Sequence, residues 1–173
     1  MSSSKTQRGL TIAIVALTML LVYTIAQRLQ ERVVTVGESA PDFSIKTENG
    51  RAISASNFGG KLLVLNFWAT WCPPCVAETP SLSRFAEQMR PAGVVVLGVS
   101  VDKNEKLYRD FLTRHRPQFL TARDAEQKIS ADYGTFKYPE TYVINISGKV
   151  VRKYISDQPW DSPEMINDIK SLL

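Results

Sequence analysis

The two cysteines of this 173-residue chain lie three residues apart, in the order Cys72-Pro73-Pro74-Cys75. A spacing of i and i+3 places both side chains on one helix face, with Cβ atoms about 5–6 Å apart, within reach of a disulfide after modest adjustment. Pro73 suits the first turn of such a helix, where its missing N–H would be unpaired anyway. The helix N-terminus also stabilises a Cys72 thiolate. This arrangement suits thiolate attack on a disulfide, followed by resolution by the second cysteine.

Other kinds of chemistry for a Cys-x-x-Cys pair are disfavoured by residues that the chain lacks. A structural zinc site needs four ligands, and beyond the cysteines the chain offers only His115, so we expect no metal. Covalent haem attachment needs a histidine where Val76 stands. A Cys-His hydrolase would depend on His115, which we interpret as a solvated residue between two arginines. A purely structural disulfide would usually close a longer loop. Redox chemistry remains, with the disulfide itself as the active group and no bound cofactor.

The segments around the cysteine pair predict a strand followed by a helix. Residues 61–67 (KLLVLNF) form a continuous apolar run, as expected of a buried central strand. Residues 73–90 are predicted to be helical, and Pro91-Ala92-Gly93 ends that helix. Residues 94–101 (VVVLGVSV) are predicted to form a second buried strand. The cysteines therefore lie where a strand has ended and a helix begins.

The remaining segments alternate between strand and helix patterns and end as a hairpin plus a helix. In order, we predict a hairpin of residues 43–45 and 52–54 around Asn49-Gly50, a helix to about Arg114 capped by Asp102 or Asn104, a short strand at 119–121, a helix from Asp124 to about Tyr133, strands at 141–146 and 149–155, and a last helix capped by Asp161 or Ser162. This order predicts an α/β fold with a mixed central sheet flanked by helices.

An apolar segment lies near the N-terminus, at residues 10–26, and contains no charge, glycine or proline. As a helix it spans about 25 Å, slightly less than a hydrocarbon core of about 30 Å, and Gly9 and Leu29 extend it. We predict a single transmembrane anchor at 10–29, with a cleaved signal sequence as the alternative. The predicted organisation is a cytoplasmic N-terminus at 1–9, the anchor, a tether at 30–36 and one domain at 37–173.

The net charge of +4 and the pI near 9.1 belong mostly to the N-terminal segment. Residues 1–32 hold four basic side chains and one acidic one, which leaves a balance of only +1 for the rest of the chain. We therefore predict no nucleic-acid partner. With 44% hydrophobic and 22% charged residues, the composition also excludes a disordered tail and a disulfide-stapled miniprotein. The basic residues on either side of the apolar segment barely favour an N-terminus inside the cell.

Residues 67–75 (FWATWCPPC) follow an apolar strand and resemble the active site of thioredoxin-fold oxidoreductases. Residues 40–43 (APDF) and Glu78, three residues after the second cysteine, narrow the resemblance to the membrane-anchored TlpA/ResA/DsbE (CcmG) branch. Residues 138–142 (YPETY) resemble that branch's Pro-Glu-Thr, whose proline is the cis residue that faces the dithiol. The resemblance extends from about Gly37 to the C-terminus and implies a thioredoxin-like fold.

The resemblance also implies a function. Family members reduce disulfides outside the cytoplasm, notably those of the haem-binding cysteines of apocytochromes c, and a membrane thiol transporter reduces them again. We expect a protein-disulfide reductase that is anchored in a bacterial cell membrane by one helix, with its catalytic domain on the periplasmic side. We expect it to be a monomer. Cys72 is the predicted nucleophile and Cys75 the resolving thiol.

Three alternative functions are weighed against this one. A general disulfide oxidase or isomerase uses the same motif, because the dipeptide between the cysteines does not set the direction of electron transfer. A non-catalytic, membrane-tethered module for binding assembly factors is the second alternative. A thiol peroxidase is disfavoured although peroxiredoxins share the Pro-Asp-Phe of residues 41–43, because Ala69 stands where that chemistry needs threonine.

Two carboxylates are candidates for proton handling at the cysteines. Glu78 lies one turn beyond Cys75, and its alternative interpretation is a solvated glutamate in an early helical turn. Glu140 follows Pro139 and is either a second carboxylate near the site or a solvated strand-edge residue. Asn66 stands where thioredoxin has a buried carboxylate, and an amide does not exchange protons at neutral pH. We therefore hypothesise that Glu78, alone or with Glu140, manages the proton of Cys75.

The immediate neighbours of the dithiol complete the predicted site. The resemblance implies that Pro139 is cis and that the adjacent backbone is available to pair with a substrate chain. Trp71 is expected to shield the disulfide or contact substrate, whereas Trp68 fits core packing equally well. The predicted site comprises catalytic Cys72, Cys75 and Glu78, with the neighbours Trp71, Pro73, Pro74, Asn66, Pro139 and Glu140.

Overall fold

The computed structural model describes residues 3–29 and 33–173, and by its contacts the chain divides into two units, residues 1–32 and 33–173. Residues 1–2 and residues 30–32 of the predicted tether lie outside the described residues. In the first unit, α1 (Ser3–Leu29) contains a 19-residue stretch, Gln7–Ile25, with a mean hydropathy of 1.9. This stretch is long and apolar enough to cross a membrane, a criterion that a signal sequence also meets. Its role as an anchor remains a prediction.

The second unit begins with the predicted hairpin. Strand β1 (Ser44–Lys46) pairs antiparallel with β2 (Ala52–Ser54), and Ile45 lies opposite Ile53. The connecting turn needs a glycine because Gly50 has a φ of 84°, a left-handed conformation that residues with a Cβ rarely adopt. The Asn-Gly signal therefore correctly located this turn.

A five-stranded mixed sheet forms the centre of this unit, in the order β5-β4-β3-β6-β7. Its strands are β3 (Leu62–Trp68), β4 (Val94–Ser100), β5 (Leu120–Arg123), β6 (Glu140–Asn145) and β7 (Val150–Ile155). Strands β3, β4 and β5 run parallel, whereas β6 and β7 run antiparallel to their neighbours. All seven residues of the central strand β3 are buried, which explains its continuous apolar sequence.

Four α-helices accompany the sheet, α2 (Pro73–Met89), α3 (Glu105–His115), α4 (Lys128–Asp132) and α5 (Pro163–Lys170), and a short 3₁₀-helix (Arg90–Ala92) follows α2. The side chains of Asn104 and Ser162 cap α3 and α5 by accepting hydrogen bonds from backbone N–H groups. Of the two candidate caps predicted for each of these helices, the structure selects Asn104 and Ser162.

Helix α4 is shorter than predicted. The sequence predicts a helix from Asp124, but only residues from Lys128 onward are helical, because Gln127 has a left-handed φ of 59°. The Asp124 carboxylate still accepts hydrogen bonds from the backbone N–H groups of Lys128 (3.1 Å) and Ile129 (2.7 Å). Asp124 therefore anchors the start of this helix from a distance rather than capping it directly.

Strand alternation separates two cores on opposite faces of the sheet. Leu63, Leu65 and Phe67 belong to a core that includes hairpin residue Ile53, whereas Leu62 and Val64 belong to one that includes residues of α2 and α5. Successive side chains of a strand point to opposite faces. Neighbouring residues of β3 and β6 therefore contribute to different environments.

Candidate active site

The cysteine pair is closed as a disulfide at the start of α2. Its sulfur atoms are 2.06 Å apart and its Cα atoms 5.3 Å apart. Cys72 is the N-cap residue, and its Sγ accepts a hydrogen bond from the backbone N–H of Cys75 at 3.3 Å. Pro73 and Pro74 begin the helix, in the first turn, where proline is tolerated. Both cysteines are buried in the oxidised protein.

Asp102 holds the loop that leads to the disulfide. It lies just after β4, is buried, and accepts hydrogen bonds from the backbone N–H (2.9 Å) and hydroxyl (2.7 Å) of Thr70. The hydroxyl of Ser100 donates to it at 2.6 Å. From the sequence, Asp102 was predicted only as a candidate cap of α3, so its contacts with Thr70 were missed. An aspartate at the end of a buried strand that neighbours β3 was the available signal.

The two tryptophans before the cysteines occupy different environments. Trp68 is buried and packs against Phe111, with ring centroids 4.8 Å apart. Trp71 is 61% exposed and meets the ring of Tyr138 edge-on at 5.9 Å. Of the two, Trp71 is therefore the one that a substrate can contact.

The peptide bond between Tyr138 and Pro139 is cis, as the resemblance implies. Pro139 directly precedes β6, and its carbonyl accepts a hydrogen bond from the backbone N–H of Ser156 at 2.9 Å. Tyr138 packs against the cluster that contains Cys72 and Cys75. The segment around the cis proline thus lies beside the dithiol.

Glu78 is buried one turn beyond Cys75, and three neutral groups donate hydrogen bonds to its carboxylate. Its Oε1 accepts from the Asn66 amide at 2.9 Å, and its Oε2 accepts from the Trp160 indole (3.0 Å) and the Gln158 backbone N–H (3.2 Å). Burial raises the pKa of Glu78 to about 7, although these hydrogen bonds oppose the shift. The interpretation of Glu78 as a solvated glutamate is therefore wrong.

Asn66 connects Glu78 to the sheet. Its amide nitrogen donates to Glu78 and also to the Thr141 hydroxyl, which lies opposite it in the β3–β6 register, at 2.9 Å. Asn66 was predicted as a site residue from the sequence, but Trp160 and Gln158 were not. Those two residues lie in the segment before α5, about 80 positions away, and no local pattern indicated their contact.

Glu140 is fully buried and paired with a lysine, so its interpretation as a solvated strand-edge residue is wrong. Its Oε1 lies 2.7 Å from the Lys153 ammonium and accepts a hydrogen bond from the Tyr142 hydroxyl at 2.7 Å. Among the described residues, Oε2 has no hydrogen-bond partner.

The two carboxylates lie on opposite faces of the sheet. Thr141 contacts Asn66, which binds Glu78, whereas its neighbours Glu140 and Tyr142 bond to each other on the other face. Alternation along β6 requires this separation. The structure therefore brings Glu78 together with Asn66 but does not bring it to Glu140. Within the described residues, no group of three or more His, Cys, Asp or Glu side chains is placed to hold a metal ion.

The protein has a thioredoxin-like mixed sheet, and its disulfide lies at the start of α2, the helix that follows the central strand β3. Together these two features define it as a thiol-disulfide oxidoreductase. Residues 36–153 match the model of the AhpC/TSA family. Thiol-disulfide oxidoreductase ResA of Bacillus thuringiensis (strain Al Hakam) is 32% identical over 123 residues, 71% of either chain. Thioredoxin-like protein YneN of Bacillus subtilis is 38% identical over 116 residues, covering 66% of this chain and 68% of YneN. The chain belongs to the AhpC/TSA family and, within it, to the TlpA/ResA/DsbE branch.

A solved structure supports the same assignment. A protein assigned as thiol:disulfide interchange protein DsbE, from Chlorobium tepidum, superimposes with a TM-score of 0.73 at 26% identity. The similarity covers 80% of this chain and 98% of that one. The fold class and the family predicted from the sequence are therefore confirmed.

Proposed function

We propose that this oxidoreductase acts outside the cytoplasm as a reductase of protein disulfides, with the haem-binding cysteines of apocytochromes c as its substrate class. The observation that carries the proposal is the Cys72–Cys75 disulfide together with Glu78, a buried carboxylate one helical turn away whose pKa is raised to about 7. Family membership supports the chemistry. The apolar helix α1 supports a location at a membrane.

The proposed reaction proceeds in two exchange steps. The Cys72 thiolate attacks one sulfur of the substrate disulfide, which forms a mixed disulfide and releases the other substrate sulfur as a thiolate. Cys75 then loses its proton and attacks the Cys72 sulfur, which releases the second substrate thiolate and closes the Cys72–Cys75 bond. Two electrons pass to the substrate. The N–H of Cys75, which points to the Cys72 sulfur at 3.3 Å, stabilises negative charge there.

Glu78 is the proposed acceptor for the Cys75 proton. A base with a pKa near the working pH exchanges protons efficiently, because both of its forms are populated. Asn66 and Trp160 hold the carboxylate in place without adding a positive charge that would lower its proton affinity further. The amide at position 66 cannot itself take the proton.

Substrate and electron donor approach the same dithiol in turn. The substrate chain is proposed to lie against the exposed ring of Trp71 and the backbone beside Pro139. Each turnover leaves the enzyme oxidised, so a dithiol protein must reduce it again. A membrane thiol transporter is the proposed donor, and anchoring through α1 would raise the effective concentration of the two partners for each other.

Substrate trapping with the full-length chain tests this function. Cys75→Ser leaves the nucleophile without its resolving thiol, so we expect it to accumulate a mixed disulfide with a c-type apocytochrome, identified by mass spectrometry. Cys72→Ser is the matched control, because it should neither trap the substrate nor reduce insulin. Captured secreted proteins that lose disulfides in the deletion strain would favour the oxidase alternative. Full complementation in cells by both variants would contradict a redox function altogether.

A fusion experiment tests the location separately. Alkaline phosphatase joined after residue 40 should be active, because that enzyme needs an oxidising compartment to form its disulfides. If this fusion is inactive and a second fusion, with a reporter that is active only in the cytoplasm, is active at the same position, the domain lies in the cytoplasm and the proposal is contradicted.

A further inference from the structure

Lys153 connects three separate segments of the domain through one buried ammonium group. Its side chain is 11% exposed, and Nζ lies 2.7 Å from Glu140 Oε1 and donates to the Val34 carbonyl at 3.0 Å. The ammonium also lies over the Tyr142 ring, 4.9 Å from its centroid. One lysine thus joins β7, the first residue of β6 and the segment that precedes the hairpin.

Its contacts fix the residue that directly follows the cis proline. Glu140 pairs with Ile155 in the β6–β7 register, and the Pro139 carbonyl accepts the N–H of Ser156. Strand β7 and Ser156, which directly follows it, therefore hold the Pro139 segment in two ways, through backbone pairing and through the Lys153–Glu140 ion pair. The backbone at Pro139 has little freedom to move while both attachments hold.

Val34, whose carbonyl accepts the hydrogen bond from Lys153, is itself held in place by other contacts. Its side chain is buried, and its backbone N–H donates to the Tyr133 carbonyl at 3.1 Å. Tyr133 in turn packs against Tyr142, with ring centroids 4.9 Å apart. Around the start of β6, the ammonium therefore contacts the Val34 carbonyl, the Glu140 carboxylate and the Tyr142 ring.

A buried ion pair contributes little net free energy to the stability of a fold. Removing two charges from water is costly, and well-packed apolar residues of similar volume are often as stabilising or more so. What an ion pair adds is a defined geometry, because its donors and acceptors must meet at fixed positions. A role in placing the Pro139 segment accounts for the charge where stability alone does not.

We propose that Lys153 is a positioning residue for protein-substrate binding, because its ion pair with Glu140 holds the backbone at cis-Pro139 in the conformation that a substrate chain pairs with. The inference rests on the proposed function, in which the backbone beside Pro139 receives the substrate. Lys153 does not touch the reacting sulfurs in this role. Removing the Lys153 ammonium is expected to weaken the binding of a polypeptide disulfide. It should slow exchange with a small disulfide less, because a small disulfide does not bind the backbone at Pro139.

The test uses the reduced full-length protein in detergent micelles and compares two disulfide probes. Stopped-flow fluorescence gives the apparent affinity and the limiting rate of single-turnover insulin reduction. The rate with 5,5′-dithiobis(2-nitrobenzoic acid) reports the reactivity of the thiols alone. For Lys153→Met we expect the apparent affinity for insulin to fall about five-fold or more, while the rate with the small disulfide changes less than about two-fold. Lys149→Met removes an exposed lysine from the same hairpin and should match the wild type.

Two further variants keep the test decisive if Lys153→Met does not fold. Lys153→Met/Glu140→Gln removes both charges and should fold while retaining the weakened insulin affinity, whereas Lys153→Arg keeps a cation and should recover much of it. Wild-type insulin affinity in the double variant, or equal losses with both probes, would overturn the inference. If the wild type itself fails to reduce insulin, the proposed function fails, which is a distinct result.

Discussion

Glu78 and Glu140 are both buried carboxylates within the candidate site, but their partners differ in charge. Glu78 accepts hydrogen bonds from an amide, an indole and a backbone N–H, all neutral. Glu140 is bound to the ammonium of Lys153 and to a tyrosine hydroxyl. Burial disfavours the charged form of any carboxylate. The neutral donors of Glu78 offset this cost only in part, because its pKa is still raised to about 7, whereas Glu140 is paired with an opposite charge. The same residue type is therefore suited to two different tasks.

This difference supports the two proposals, proton exchange on one face of the sheet and substrate positioning on the other. Neutral donors hold Glu78 in place while leaving its pKa near 7, so it can take up and release a proton at neutral pH. The ion pair of Glu140 instead joins β6 to β7 next to Pro139. Mutations that remove the carboxylate or its partner at either site are the most direct way to test this difference.

We expect the largest change in the free energy of unfolding when the buried cation of Lys153 is removed. Lys153→Met leaves the Glu140 carboxylate buried without its opposite charge, so we expect the free energy of unfolding at pH 7 to fall by roughly 3–5 kcal/mol. Denaturant unfolding of the oxidised protein measures it. The double variant Lys153→Met/Glu140→Gln should recover most of this loss, because no uncompensated charge remains. A loss in the double variant as large as in the single one would mean that packing, not charge, is responsible.

Glu78 is expected to make stability depend on pH. Its pKa is about 7 in the folded protein against 4.5 for an unperturbed glutamate, so the folded state binds more protons than the unfolded chain between these values. The stabilisation is fully present below pH 4.5 and is lost as the pH rises through 7. At about 1.4 kcal/mol per pH unit, the loss amounts to about 3 kcal/mol.

Glu78→Gln should abolish this component, because an amide does not titrate. We expect the difference in unfolding free energy between variant and wild type to shift in favour of the variant by about 3 kcal/mol between roughly pH 4.5 and pH 8. Denaturant unfolding of the oxidised proteins across that range measures it. Glu87→Gln, an exposed position on the same helix, is the matched control and should keep the wild-type slope. A wild-type slope in Glu78→Gln would show that other groups carry the pH dependence.

The sequence predicted the parts of the site that depend on local pattern. An apolar run predicted the strand before the cysteines, and the two prolines predicted the start of the helix. The structure confirms both. The contacts of Trp160 with Glu78 and of Lys153 with Glu140 could not be predicted from the sequence, because they form only through tertiary packing. Alternation along Glu140-Thr141-Tyr142 did contain a usable signal. Because successive side chains of a strand point to opposite faces, alternation along β6 is enough to place Glu140 and Thr141 on different faces of the sheet.

A smaller effect is expected from removing one neutral donor. Trp160→Phe keeps most of the ring packing against Phe85 but deletes the indole N–H that binds Glu78 Oε2. Although the Gln158 N–H still binds Oε2, losing one hydrogen bond to a buried carboxylate costs about 1–3 kcal/mol, and the cost should be greater when the carboxylate is charged. We therefore expect a larger loss of unfolding free energy at about pH 8 than at about pH 5, with the Glu78 pKa raised further. Equal losses at both pH values would indicate lost packing only.

The smallest effect is expected from an ion pair of almost the same length on the surface. Lys106 and Asp110 lie 2.6 Å apart, nearly the distance between Lys153 and Glu140, but their side chains are 82% and 44% exposed. Water solvates both groups, so little free energy depends on their contact. Lys106→Met should therefore leave the free energy of unfolding unchanged within error, measured under the same conditions as Lys153→Met. Comparable losses in both variants would mean that pair distance, rather than burial, determines the strength of these contacts.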